Sequence, residues 1–160
     1  MANNEVVIID YGMGNLWSVA SAIRFLGKTP VATGDLSKIS ESETLILPGV
    51  GSFRRAMNTI RNQSIDKAIF ESLQNPKSKL LGICLGMQLL TLGSEEGQEP
   101  GLGWVDAQAR RFRPKDLRLK VPHMGWNEVS QARADELLPE STTLRRFYFV
   151  HAYRVECADP

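Results

Sequence analysis

Apolar positions fall into two alternating textures as far as residue 92. Val6, Val7, Ile8 and Ile9 form an unbroken β-branched run, as expected of a strand buried on both faces of a parallel sheet. Leu16, Val19, Ile23 and Leu26 then recur at helical spacing, and Gly27 follows as the stop. Pro30-Val31-Ala32 reads as a weak second strand and Thr44-Leu45-Ile46-Leu47 as a stronger third. Helical patterns follow over 53–60 and 64–73. The second lines Ile65, Ile69 and Leu73 along one face before Pro76 forbids continuation. A final short apolar run, Leu80 through Ile83, passes without a spare residue into a helix carrying Leu85, Leu89 and Leu92. Strands alternating with helices specify a doubly wound α/β core around a mostly parallel sheet.

After Gly93 the texture changes. Residues 94–100 are acidic and read as a solvated surface loop. From Trp104 onward the signals are β, over 104–109, 117–121, 147–150 and 153–157, and predict an added antiparallel layer completing the sheet. The basic run over 110–115, extended by Arg118 and Lys120, reads as a solvated hairpin face, with a phosphate or protein contact as the alternative.

Composition narrows the class without changing the fold. A chain of 160 residues fits a single domain spanning 1–160 and buries enough surface to need no disulfide or metal. A net charge of +1 argues against a general nucleic-acid or membrane surface. Only Cys84 and Cys157 occur, and no short-spaced pair suggests zinc or a redox couple. The amino-terminal apolar run is too short, and with Glu5 and Asp10 too acidic, for a signal peptide or membrane span. A cytoplasmic protein without cofactor or metal, acting on small molecules or protein, is the expectation.

The chemistry concentrates at Gly82-Ile83-Cys84-Leu85-Gly86. This is a cysteine version of the G-x-S-x-G elbow, in which two glycines let strand and helix close around a strained nucleophile. The sulfur would stand at the strand's carboxyl end, the Leu85 amide would face a developing oxyanion, and the helix N-terminus would favour the thiolate. The same spacing also fits a buried structural cysteine. In Pro48-Gly49-Val50-Gly51 the glycines permit close backbone approach to a ligand, or a plain strand-to-helix turn. Gly12-Met13-Gly14 invites a dinucleotide reading, but Trp17 occupies the position of that fingerprint's third glycine, so a tight turn fits better. His123 and His151 are both candidate bases for Cys84 and both candidates for structural hydrogen bonding.

Asp10-Tyr11-Gly12-Met13-Gly14-Asn15, Leu47-Pro48-Gly49-Val50-Gly51, the Cys84 elbow through Gln88, Pro122-His123-Met124-Gly125-Trp126-Asn127 and Tyr148-Phe149-Val150-His151-Ala152-Tyr153 together resemble the glutaminase subunits of imidazole glycerol phosphate synthases. These are class I glutamine amidotransferases of histidine biosynthesis. The resemblance implies a flavodoxin-like domain in which Cys84 attacks the side-chain amide of glutamine, with an oxyanion hole from the amides of Val50 and Leu85. It implies a glutamine pocket of Gly49, Gly51, Gln88, Glu96, His151, Ala152 and Tyr153. It also implies a (β/α)8-barrel cyclase as partner, with Asn15, Met124 and Trp126 in motifs that resemble the docking surface.

One departure accompanies these matches. The family's base and orienting carboxylate lie in a His-Pro-Glu motif beyond its last strands, and this chain holds no His-Pro-Glu. Neither His123 nor His151 matches the missing histidine. The expectation is therefore an amino-terminal portion of such a domain, cut short of its carboxyl end and by itself lacking most glutaminase turnover. A noncatalytic partner-binding subunit, a short enzyme recruiting His151, and a nucleotide or flavin binder on the same fold are the alternatives.

Overall fold

The structure, a computed structural model, describes residues 4–116, 118–131, 137 and 145–159. They fall into two compact units, one of Met1–Arg110 with Val155–Pro160 and one of Arg111–Arg154.

The first unit begins β1 (Glu5–Ile9), α1 (Leu16–Phe25), β2 (Thr29–Thr33), α2 (Leu36–Ser40) and β3 (Thr44–Leu47). It continues through α3 (Phe53–Asn62), α4 (Ile65–Ser72), β4 (Lys79–Gly82) and α5 (Leu85–Leu89). Its sheet runs β2-β1-β3-β4, with every pair parallel. Successive residues of a strand point to opposite faces, and the continuous run in β1 supplies both. Ile8 meets Ala20 and Ile23 of α1 on one side. On the other, Val7 and Ile9 join Leu45, Leu47, Phe53, Met57, Ile60, Ile65 and Ile69 in the main core. That two-sided burial is why the strand shows no polar alternation.

Several expectations shift in detail. Leu26 is 74% exposed because it forms the C-cap of α1 rather than part of its buried stripe; Gly27 follows at φ +74°. Helix α2, five residues capped by Asp35, is too short for periodicity to reveal. Helix α5 ends at Leu89 instead of reaching Leu92. The carbonyls of Leu89 and Leu90 accept from Leu102 and Trp104, and Leu92 turns away to donate to Ala107. Leu92 is consequently exposed.

The remaining strands are β5 (Gly93–Ser94), β6 (Ala107–Arg111), β7 (His123–Val129), β8 (Arg145–His151) and β9 (Tyr153–Cys157). They form sheets of their own: a three-stranded β5-β6-β9, in which β5 and β6 run parallel, and an antiparallel β7-β8 ribbon in the second unit. The strand expected over 117–121 is replaced by turn and bend at 118–121, while Leu117 lies outside the described residues. Asp116 causes this locally, accepting from the Arg118 amide at 3.0 Å and its guanidinium at 2.8 Å, a side-chain turn that competes with a ladder. Among the described residues no helix is long and apolar enough to cross a membrane.

Candidate active site

Cys84 is exposed at the carboxyl end of β4, with φ +55° and ψ −114°. A side chain in that region is strained, and such strain persists only where surrounding packing imposes it. The packing comes from two glycines. A Cβ at Gly82 would stand 2.7 Å from the Met87 nitrogen and Cα, and one at Gly86 would collide with the Leu47 carbonyl. Strand and following helix therefore approach with no room for a methyl group. The turn is closed by Ile83 donating to Leu47 at 2.9 Å and by Gly86 donating to Ile83 at 3.0 Å. Leu85 and Gln88 lie buried directly behind it.

The glycine loop after β3 is seated against this elbow. Gly49 is buried, and a Cβ there would lie 2.9 Å from both the Gly86 nitrogen and the Leu85 Cβ. Gly51 adopts φ +100°, and Val50 between the two glycines is 54% exposed. Ser52 then caps α3, its hydroxyl accepting from Arg55 at 3.4 Å. The loop is thus a strand-to-helix turn and an elbow neighbour at once. Gly49, Val50, Gly51, Cys84, Leu85 and Gln88 are gathered in one place.

Glu96 joins them by a route that spacing could not reveal. Its Oε2 accepts from the Phe53 amide at 3.2 Å, the first residue of α3 after the glycine loop. The segment is held there by Arg54, whose guanidinium donates to the Gly97 carbonyl at 2.7 and 3.1 Å and pairs with Glu99 at 3.5 Å. The acidic stretch is exposed at Glu95, Glu96, Gln98 and Pro100, as a surface loop should be, and is at the same time pinned to a helix start. Arg54 carries no motif, so sequence pattern did not single it out.

Tyr11 is the other residue that pattern missed. It is 3% exposed, and its hydroxyl donates to the Pro48 carbonyl at 2.8 Å. Burial pushes its pKa well up, and electrostatic interaction with Cys84 pushes the same way. The phenol is therefore within electrostatic reach of the sulfur.

The other candidates are placed as follows. Asn15 caps α1, its Oδ1 accepting from Ser18 at 3.1 Å. Gly12 and Gly14 take φ +80° and +144° in the preceding turn, and Trp17 points to solvent. In the second unit, Met124 and Trp126 are 62% and 65% exposed on β7, facing Val150 and Tyr148 across the ladder. The Trp126 and Tyr148 rings meet edge to face at 5.8 Å. The opposite face carries His123 stacked on Phe149 at 5.0 Å. His151 Nδ1 donates to the Tyr153 carbonyl at 2.7 Å, since a carbonyl can only accept, and the Ala152 carbonyl accepts from Phe112 at 2.9 Å. Among the described residues no group of three or more His, Cys, Asp and Glu is placed to hold a metal.

An exposed thiol on a strained turn, with a glycine loop and a buried phenol beside it, is an arrangement suited to covalent attack on a planar carbonyl carbon. Comparison with known proteins bears on which one. The sequence matches the family described as glutamine amidotransferase class-I over residues 7–159. It is 43% identical over 155 residues to the imidazole glycerol phosphate synthase subunit HisH 2 of Pseudomonas aeruginosa, covering 97% of this chain and 76% of that protein. It is 40% identical over 160 residues to the imidazole glycerol phosphate synthase subunit HisH of Neisseria meningitidis, covering 93% and 74%. A crystal structure described as a glutamine amidotransferase shares the fold at a TM-score of 0.66 and 18% identity, over 92% of this chain and 72% of that one.

Proposed function

The chain belongs to the class-I glutamine amidotransferase family, and from that premise we propose that it is the glutaminase subunit of an imidazole glycerol phosphate synthase. It takes glutamine as substrate and supplies ammonia for histidine biosynthesis. The observation that carries this reading is Cys84 held at φ +55° with Gly49 packed against Leu85 and Gly86.

The chemistry follows from that geometry. The Cys84 thiolate adds to the side-chain carbonyl carbon of glutamine, forming a C–S bond and moving the carbonyl electron pair onto oxygen. The amides of Val50 and Leu85 receive that oxyanion. The C–N bond then breaks, the nitrogen takes a proton and leaves as ammonia, and water attacks the thioester to release glutamate and restore the thiol. Gly49 and Gly51 keep the loop narrow enough for the substrate to approach backbone, Gln88 backs the elbow, and Glu96 receives the substrate's ammonium. The family resemblance also assigns His151, Ala152 and Tyr153 to glutamine binding. The proton-transferring base is assigned to the family's His-Pro-Glu motif, which neither His123 nor His151 matches. The His151 ring donates through Nδ1 to the Tyr153 carbonyl, which leaves its lone pair on Nε2.

The family match across residues 7–159 supports treating the two units as parts of one glutaminase domain. The partner in this reading is a (β/α)8-barrel cyclase that receives the ammonia. Asn15, Met124 and Trp126 contribute to the docking surface, with Trp126 as an aromatic anchor of the kind that dominates interface energetics. This reading also takes the cytoplasm as the place where the protein works.

The test is covalent labelling with a chloromethyl ketone derived from glutamine. Stoichiometric modification of Cys84, suppressed by free glutamine while Cys157, also exposed, is spared, is the expected result. A folded sample in which Cys84 stays unmodified, or is modified no faster than Cys157 and without protection, contradicts the proposal.

A further inference from the structure

We propose that Tyr11 is a positioning residue for the oxyanion loop, its hydroxyl gripping the Pro48 carbonyl and so holding the Gly49-Val50 segment against the Cys84 elbow. The inference rests on the glutaminase reading above and extends it to a residue that touches neither substrate nor nucleophile in that mechanism.

Three observations meet at this residue. Tyr11 follows β1 by two residues and is buried, yet its one polar atom has a specific use, a 2.8 Å donation to the Pro48 carbonyl. A Cβ on Gly49 would stand 2.6 Å from that hydroxyl oxygen, so the phenol is seated directly beneath the first glycine of the loop. The same Cβ would meet the Gly86 nitrogen and the Leu85 Cβ at 2.9 Å, so the elbow crowds the same face of Gly49 as the phenol does. Phenol and elbow therefore jointly fill the space in front of Gly49, and a glycine is the residue thin enough to fit there. Pro48 has no amide hydrogen and a fixed φ, so the Tyr11 bond to its carbonyl bears on the orientation of the peptide that leads into Gly49 and, one residue on, into the Val50 amide.

A buried tyrosine can serve packing alone, and the two roles separate when the hydroxyl is removed. Tyr11→Phe keeps the ring and leaves the Pro48 carbonyl without its donor. A loop freed in this way misplaces an oxyanion donor, which for small displacements costs on the order of 10- to 100-fold in rate. Recognition of the ground-state ligand changes little, because that donor acts on charge that develops only during attack.

The experiment compares wild type with Tyr11→Phe under two alkylating reagents. With the glutamine-derived chloromethyl ketone, the inactivation rate at saturation is expected to fall at least about 10-fold while the half-saturation concentration stays within about threefold. With iodoacetamide, which makes no use of an oxyanion hole, the rate at Cys84 is expected to stay within about twofold. An unchanged chloromethyl ketone rate overturns the assignment, as does an equal fall with both reagents, which would place the effect on the thiol or the whole fold. Hydrogen exchange in wild type supplies a measurement independent of the variant's folding. Amides of residues 49–52 are expected to be protected comparably with those of β3, and exchange as fast as in free loops overturns the proposal. If wild type itself shows no glutamine-protected labelling, the glutaminase reading fails. If wild type is protected and Tyr11→Phe matches it, only the Tyr11 role fails.

Discussion

Replacing Cys84 by glycine and by alanine separates the strain of the elbow from its chemistry, since both substitutions remove the nucleophile. The native φ of +55° with ψ −114° suits a glycine and opposes any residue with a Cβ. Holding a side chain in so sparsely populated a region costs about 1–3 kcal/mol, and Cys84→Ala retains that cost. Cys84→Gly relieves it, while the greater freedom of glycine in the unfolded chain takes back about 0.4–1 kcal/mol. Because the thiol is exposed, its loss removes little packing from either variant. The glycine variant is therefore expected to be the more stable by about 0.5–2 kcal/mol. For a chain of this length that corresponds to a melting temperature higher by on the order of 1–8 °C. Differential scanning calorimetry of the two variants in parallel is the assay. A glycine variant that melts at or below the alanine variant refutes the claim that the turn is strained, and with it the argument that Gly82 and Gly86 enforce the elbow.

Gly49→Ala places a methyl group within 2.6–2.9 Å of Tyr11, Gly86 and Leu85; overpacking of about 1–3 kcal/mol is expected, visible as a lowered urea midpoint, and an unchanged midpoint refutes the contact. Glu96→Gln removes the charge that faces the start of α3, so protection of Cys84 by glutamine is expected to need at least about 10-fold more ligand, whereas an unchanged protection curve removes Glu96 from the pocket. Tyr11 is held neutral when folded, so above its ordinary pKa of about 10 only the unfolded chain releases the proton. That contribution to stability is complete below pH 10 and is lost as pH rises from there. Wild type is expected to lose up to about 1.4 kcal/mol per pH unit relative to Tyr11→Phe above pH 10, and parallel melting curves from pH 9 to 11 contradict it.

The chemistry-bearing glycines were legible because their spacing around Cys84 and Val50 is local: Gly82, Gly86, Gly49 and Gly51 act within a few residues of the turn they permit. The parallel core was legible for a similar reason, with β1 and β3 written as unbroken apolar runs. What escaped was tertiary. Phe53 meets Glu96 and Arg54 meets Gly97 across 43 residues of chain, and nothing in either neighbourhood announces the other. Tyr11 looked like one letter of a turn motif, since its value depends on the Pro48 carbonyl arriving from β3. Strand β7 carries no apolar alternation that points to one buried side, because Met124 and Trp126 stay exposed on it, and its Gly125 at φ +133° reads locally as a turn. Strand β5, two residues long, has no pattern to read. In α5 the helical spacing of Leu85, Leu89 and Leu92 was present, but the 102–104 segment took the carbonyls that a longer helix would have used.

Helix α3 serves as a common mooring post. Its first turn ends the glycine loop at Ser52 and Phe53 and, through Arg54 and the Phe53 amide, also ties down the strip carrying Glu96. The turn after β3 and the strip carrying Glu96 are thus moored to the same helix start, so a change that unsettles the first turn of α3 is felt at both.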